Sequence, residues 1–230
     1  MMVNHRPINK VISAFFARCL ALLTIFGFGL QISATSVKAD EGDVVQILAF
    51  GDSLTAGYGL APGEGFTEQL EVWLNENAEV AIEVINAGVS GDTSSGGRAR
   101  LEWGLAPVKD GRPDLVILEL GANDGLRGID PHITAENIDA MAATLASRDI
   151  PVLIAGMMAP PNLGADYAAV FNPIFPETAE KYGFPLYPFF LDGVAADASL
   201  NQSDGMHPTA EGVKIIVEKI GPVVLEVLGF

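Results

Sequence analysis

Val44-Val45-Gln46-Ile47-Leu48-Ala49-Phe50 runs without interruption into Gly51-Asp52-Ser53-Leu54-Thr55-Ala56-Gly57. The first seven residues are mostly apolar and partly β-branched, with the length of a buried strand, and the small residues after them make a turn. Ligands of open α/β sheets bind at the carboxyl edge of the strands, so this turn would present the Ser53 hydroxyl where a substrate can reach it. Ser and Asp also serve as plain helix caps after strands, and a lone Gly-Asp-Ser-Leu has little specificity. What Ser53 does therefore depends on what the rest of the chain brings to the same edge.

Downstream, Phe66, Leu70, Trp73 and Leu74 recur at helical spacing and predict an amphipathic helix over Gly65 to Asn77. Val80 to Ile85 alternates as a strand. The small, polar loop from Asn86 to Gly97 follows, with Asp92 and Thr93 placed to cap a helix through Arg98 to Trp103. Asp114 to Leu120 is nearly all apolar, as a strand covered on both faces must be, and it runs into Gly121-Ala122-Asn123-Asp124-Gly125. A helix over Thr134 to Ser147, a strand over Pro151 to Gly156, a loop from Met157 to Leu163, a helix over Ala165 to Tyr182, a short strand near Pro185 to Tyr187 and a C-terminal helix over Thr209 to Val227 complete the pattern. Strands alternating with helices predict the α/β class: a three-layer α/β/α sandwich on a mostly parallel five-stranded sheet.

Residues 1–39 carry Arg6, Lys10, Arg18 and Lys38 and no acid, with an apolar centre from Cys19 to Leu30 and a small-residue exit at Val37-Lys38-Ala39. This is the pattern of a secretory signal peptide, cleaved before Asp40. A membrane anchor is the alternative, but Gln31, Ser33, Thr35 and Ser36 make the second half of the stretch polar. Cleavage would leave one domain, residues 40–230, in the periplasm or outside the cell. It would also remove Cys19, the single cysteine, and with it any disulfide or thiol chemistry. The net charge of −16 becomes −20 once the four cations of the leader are gone. A nucleic-acid partner is not expected, because phosphate binding needs clustered Lys and Arg.

A serine hydroxyl needs a base to take its proton, and the usual base is an imidazole held by a carboxylate. The chain has three histidines. His5 leaves with the leader, and His132 follows Pro131 in a polar turn without an orienting acid nearby in sequence. His207 has Asp204 three residues before it in a glycine-containing turn, and Pro208 stands where a last helix would open. Acyl transfer also needs donors for an oxyanion. Loops after the first three strands would supply the Ser53 N–H, the Gly91 N–H and the Asn123 side-chain amide. As ordinary turn residues, Gly91 and Asn123 have a simpler explanation in backbone conformation alone.

Gly51-Asp52-Ser53-Leu54, Gly91 in Ser90-Gly91-Asp92-Thr93-Ser94, Asn123 in Gly121-Ala122-Asn123-Asp124, and Asp204-Gly205-Met206-His207 resemble, in order, the four blocks of the GDSL or SGNH hydrolase family. The longer runs Gly51 to Tyr58, Ser90 to Ser94 and Glu119 to Gly128 are most similar to its secreted bacterial thioesterase I/lysophospholipase/arylesterase branch. The resemblance covers Val44 to the C-terminus. It implies a flavodoxin-like sheet, Ser53 as nucleophile, His207 as base and then acid, Asp204 as its orienter, and Ser53, Gly91 and Asn123 as oxyanion donors. Met157, Met158, Pro160 and Leu163 fall in the loop that lines the acyl pocket in that branch. No metal or cofactor is implied; the expected partner is a small-molecule ester or lipid, and a monomer is expected. The alternatives are a deacetylase of cell-envelope polysaccharide and a non-catalytic binding protein on the same scaffold.

Overall fold

A computed structural model describes residues 44–230; the expected leader, with His5 and Cys19, lies outside the described residues. Five strands form one sheet: β1 Val45–Gly51, β2 Ile82–Gly88, β3 Leu115–Glu119, β4 Val152–Ala155 and β5 Leu186–Tyr187. Every pairing is parallel and the spatial order is β2-β1-β3-β4-β5. That is the flavodoxin-like order, whose topological switch point lies between β1 and β3. The expected five-stranded α/β sheet is therefore present.

Burial follows position in the sheet. Every residue of β3 and β4 is buried, and so are Ile47 to Phe50 of β1, because helices cover both faces of the central strands. At the edge, β2 alternates: Ile82 and Val84 point inward and Glu83 is exposed. The alternation explains a shift from expectation. The strand begins at Ile82, not Val80, and continues through Asn86-Ala87-Gly88, which pair with Ala49, Phe50 and Gly51 of β1. Backbone pairing with β1 carries the strand beyond its apolar residues.

Eight helices accompany the sheet in the described residues: α1 Ser53–Ala56, α2 Phe66–Asn77, α3 Ser94–Leu105, α4 Ala122–Leu126, α5 Pro131–Ala146, α6 Gly164–Phe171, α7 Ile174–Tyr182 and α8 Ala210–Leu228. They pack in two groups: α2 against α8, and α3, α6 and α7 against α5. Close approach in each group depends on missing side chains. A Cβ on Gly97 of α3 would strike the Leu120 side chain, one on Gly104 of α3 would press on the Phe50 ring of β1, and one on Gly221 of α8 would collide with the Trp73 ring of α2.

Three helix expectations need correction. Ala165 to Tyr182 is two helices, because Pro173 has no N–H to continue α6, and Asn172 turns its Oδ1 to the Ala159 N–H at 2.8 Å instead. α5 starts at Pro131, with Asp130 accepting the His132 N–H at 3.0 Å, so His132 belongs to the first helical turn and not to a loop. Pro208 does not open the last helix: Thr209 caps it through its hydroxyl and the helix starts at Ala210, while Pro208 forms a β-bridge with Asn201. Among the described residues no helix is long and apolar enough to cross a membrane.

Candidate active site

Ser53 is the first residue of α1, directly beyond the end of β1. Asp52 is the cap: its Oδ1 accepts the Leu54 N–H at 3.0 Å. At the first position of the helix the Ser53 N–H has no partner within the helix, which leaves it available to a ligand. Two glycines allow this turn to sit so low in the sheet. A Cβ on Gly51 would strike the Thr55 hydroxyl and the Glu119 carboxyl, and one on Gly88 of β2 would strike the backbone of Ala56. Ser53 is 8% exposed, a hydroxyl at the floor of the site.

Two hydrogen bonds bring the remote turn to it. His207 Nε2 stands 2.9 Å from Ser53 Oγ, and His207 Nδ1 stands 2.6 Å from Asp204 Oδ2. The other Asp204 oxygen accepts the N–H groups of Met206 at 2.9 Å and His207 at 3.1 Å, so the carboxylate folds back on its own turn. The imidazole contact and these two N–H groups hold the Asp204 carboxyl down to about 2. Gly205 supplies the left-handed residue, with φ 69°, that closes the turn. Gln202 ties the turn to the segment after Ser53 by donating to the Tyr58 carbonyl at 2.8 Å, and it also donates to the Pro208 carbonyl at 2.9 Å. The Tyr58 ring lies over the imidazole, with centroids 4.6 Å apart.

The other predicted donors are placed by their neighbours. Asn123 lies in α4, not in a bare turn, and its Nδ2 donates to Asp52 Oδ2 at 3.0 Å. Asp52 thus holds both the Ser53 turn and the Asn123 amide. Gly91 takes a left-handed conformation, φ 82°, and its carbonyl accepts from Arg127 at 2.7 Å, linking the loop after β2 to the end of α4. Behind these loops, buried Asp124 accepts the Ser94 N–H at 2.8 Å, the Ser94 hydroxyl at 2.5 Å and the Thr134 hydroxyl at 3.1 Å. It fastens α4 to the start of α3.

Sequence reasoning missed two anchors. Arg100 of α3 donates to Asp92 at 2.6 Å and to the carbonyls of Ala87 and Gly51, both at 2.8 Å, with its guanidinium 4.1 Å from the Phe50 ring centroid. It clamps the ends of β1 and β2 to the Gly91 loop, and Asp92 is its partner while Thr93 alone caps α3. Glu119, the last residue of β3, is the second anchor. Its Oε2 accepts the Thr55 hydroxyl at 2.7 Å and the Asp52 N–H at 3.3 Å. Burial, with the nearby Asp52 charge adding to it, pushes the Glu119 carboxyl well above the usual range. Burial also lifts Asp52 to about 6, against the pull of the Leu54 N–H and the Asn123 amide.

The loop after β4 is divided. Met157 is 3% exposed and belongs to the hydrophobic core, which corrects its expected place on the substrate surface. Met158 is 55% exposed, and Pro160 and Leu163 are half-buried, with Pro160 packed against Gly125 of α4. His132 lines a separate groove with Glu136, Glu177 and Lys181. Among the described residues no group of acids and histidines could hold a metal ion.

A hydroxyl beside a carboxylate-held imidazole can lose its proton as it attacks a carbonyl carbon. The chain is also similar to known hydrolases. Residues 49–215 match the GDSL-like Lipase/Acylhydrolase family. Esterase TesA of Pseudomonas aeruginosa is 38% identical over 176 residues, covering 76% of this chain and 86% of that protein. An arylesterase of Vibrio mimicus is 36% identical over 201 residues, covering 87% of this chain and 94% of that protein. The crystal structure of AlinE4, an SGNH-hydrolase family esterase, has a TM-score of 0.68 at 45% identity and covers 82% of this chain and 99% of its own. With a family match across most of the described residues and esterases among its relatives, the chain belongs to the GDSL-like lipase/acylhydrolase family and is a hydrolase of ester bonds.

Proposed function

We propose that the protein is an exported serine esterase that cleaves carboxylic esters of medium or long acyl chains, and thioesters secondarily, through an acyl-enzyme on Ser53. The observation that carries this reading is the 2.9 Å contact between His207 Nε2 and Ser53 Oγ, backed by Asp204. In the first step the Ser53 oxygen bonds to the acyl carbon, His207 takes the hydroxyl proton, and the carbonyl electrons move to oxygen. The Ser53 N–H, the Gly91 N–H and the Asn123 amide receive that oxyanion. Collapse breaks the bond to the leaving alcohol, which takes the proton from His207; water then enters as second nucleophile and regenerates Ser53.

Asp204 keeps the imidazole oriented and stabilises its charged form. Exposed Met158 and half-buried Pro160 and Leu163 offer an apolar wall for an acyl chain, which favours this reading over a deacetylase cleft built for sugars. Export rests on the basic, apolar and small-residue order of residues 1–39. The test pairs a fluorophosphonate probe with a chain-length series of neutral aryl esters. The expected result is labelling that Ser53→Ala abolishes, with kcat/KM rising from acetyl to longer acyl groups. A folded enzyme that resists the probe, or one that prefers acetyl esters, overturns the proposal.

A further inference from the structure

Glu119 pairs in register with Gly51 at the end of β3, and its side chain is wholly buried directly beneath the Ser53 turn. Its Oε2 holds the Thr55 hydroxyl and the Asp52 N–H, while its Oε1 reaches no polar partner among the described residues. The charged groups around it are accounted for elsewhere. Asp52, from the turn after β1, has its own sign; Arg100, from α3, spends its donors on Asp92 and the Ala87 and Gly51 carbonyls; His207 faces Ser53. Among the described residues no cation forms an ion pair with Glu119. A carboxylate in that position would be a buried charge without compensation beside a second carboxyl, an arrangement that neutralises by keeping a proton.

We propose that Glu119 is a positioning residue that works as a neutral carboxylic acid, pinning the Ser53 turn to the central strand and leaving Asp52 the single negative charge beneath the Asn123 amide. Neutrality matters to the reaction, because a second negative charge at this depth would oppose the oxyanion that forms above it. The effect on activity rests on Ser53 being the nucleophile. The protonation state does not, so the two are measured separately.

The test compares wild-type enzyme with Glu119→Gln and Glu119→Ala. An acid that keeps its proton longer when folded than when unfolded makes the folded state lose ground as pH rises. Above the ordinary glutamate value of about 4.3, wild type should therefore lose stability relative to Glu119→Gln. The ratio of their unfolding constants should move about tenfold per pH unit, about 1.4 kcal/mol, until the buried acid ionises. A gap that stays flat or moves the other way overturns the proposal. Glu119→Gln should keep kcat and KM near wild type, and Glu119→Ala, without either contact, should lose about 10- to 100-fold in kcat with KM little changed. An equal loss in both variants overturns the positioning role. Should Glu119→Gln fail to fold, wild-type protein labelled with 13C at glutamate carboxyls decides: one resonance must stay protonated past neutrality, and titration of every glutamate in the ordinary range overturns the proposal.

Discussion

Asp204 and Asp52 are carboxyl groups on opposite sides of one serine, and their surroundings drive them in opposite directions. Asp204 sits in an exposed turn, held by an imidazole and two N–H groups, and its carboxyl lies at about 2. Asp52 is fully buried above Glu119, accepts one N–H and one amide, and its carboxyl lies at about 6. The exposed acid keeps its charge down to low pH and holds the imidazole by one oxygen and its own turn by the other. The buried acid is surrounded by fixed dipoles and holds geometry. Charge compensation is placed where water can relax around it, and positioning where nothing moves.

The largest break in that comparison should come on the exposed side. Asp204→Asn keeps the turn but favours the wrong tautomer of His207, and kcat should fall about 10⁴-fold while Ser53 stays in place. Steady-state kinetics on a neutral aryl ester measure it; a loss under tenfold would mean that the imidazole is oriented by its other neighbours. On the buried side, Asn123→Ala removes one donor and should cost about 10²–10³ in kcat with a smaller change in KM. Asp52→Asn frees the Asn123 amide from its fixed acceptor, so the double variant should be far better than the product of the two single losses. Multiplicative losses would separate the two residues.

The smallest effect concerns acid stability. The depressed Asp204 carboxyl contributes stability that is present above its unfolded value of about 3.9 and is lost as pH falls towards about 2. Thermal melts of wild type and Asp204→Asn should therefore converge as pH drops through that window. A gap that widens on acidification would reverse the assigned direction.

How much of this was legible depends on the range of each contact. The strands, the Ser53 turn and the Asp204 to His207 turn are written in local runs of residues, and the side chains within each run make the contacts that define it. Arg100 and Glu119 act over long range: Arg100 reaches Gly51, 49 residues away, and Glu119 reaches Thr55, 64 residues away. No spacing rule links such positions. Glu119 did leave a signal, as an acid in the otherwise apolar run LVILEL from Leu115 to Leu120, where a charge has no solvent to face. The break before Pro173 was equally visible; apolar periodicity across it hid the missing N–H. Met157 shows the opposite error, because a loop position alone does not tell whether a side chain points outward or into the core.

Ser53 and His207, the proposed nucleophile and base, are separated by 154 residues, with four of the five strands between them. A chain made from its N-terminus acquires Ser53 before β2 to β5, while His207 follows all five strands and stands just ahead of α8. Order of synthesis thereby acts as a safety catch. Any product that stops short of residue 207 carries Ser53 without the imidazole that stands 2.9 Å from it, so on the proposed mechanism the hydrolytic centre stays silent until the whole sheet has been made.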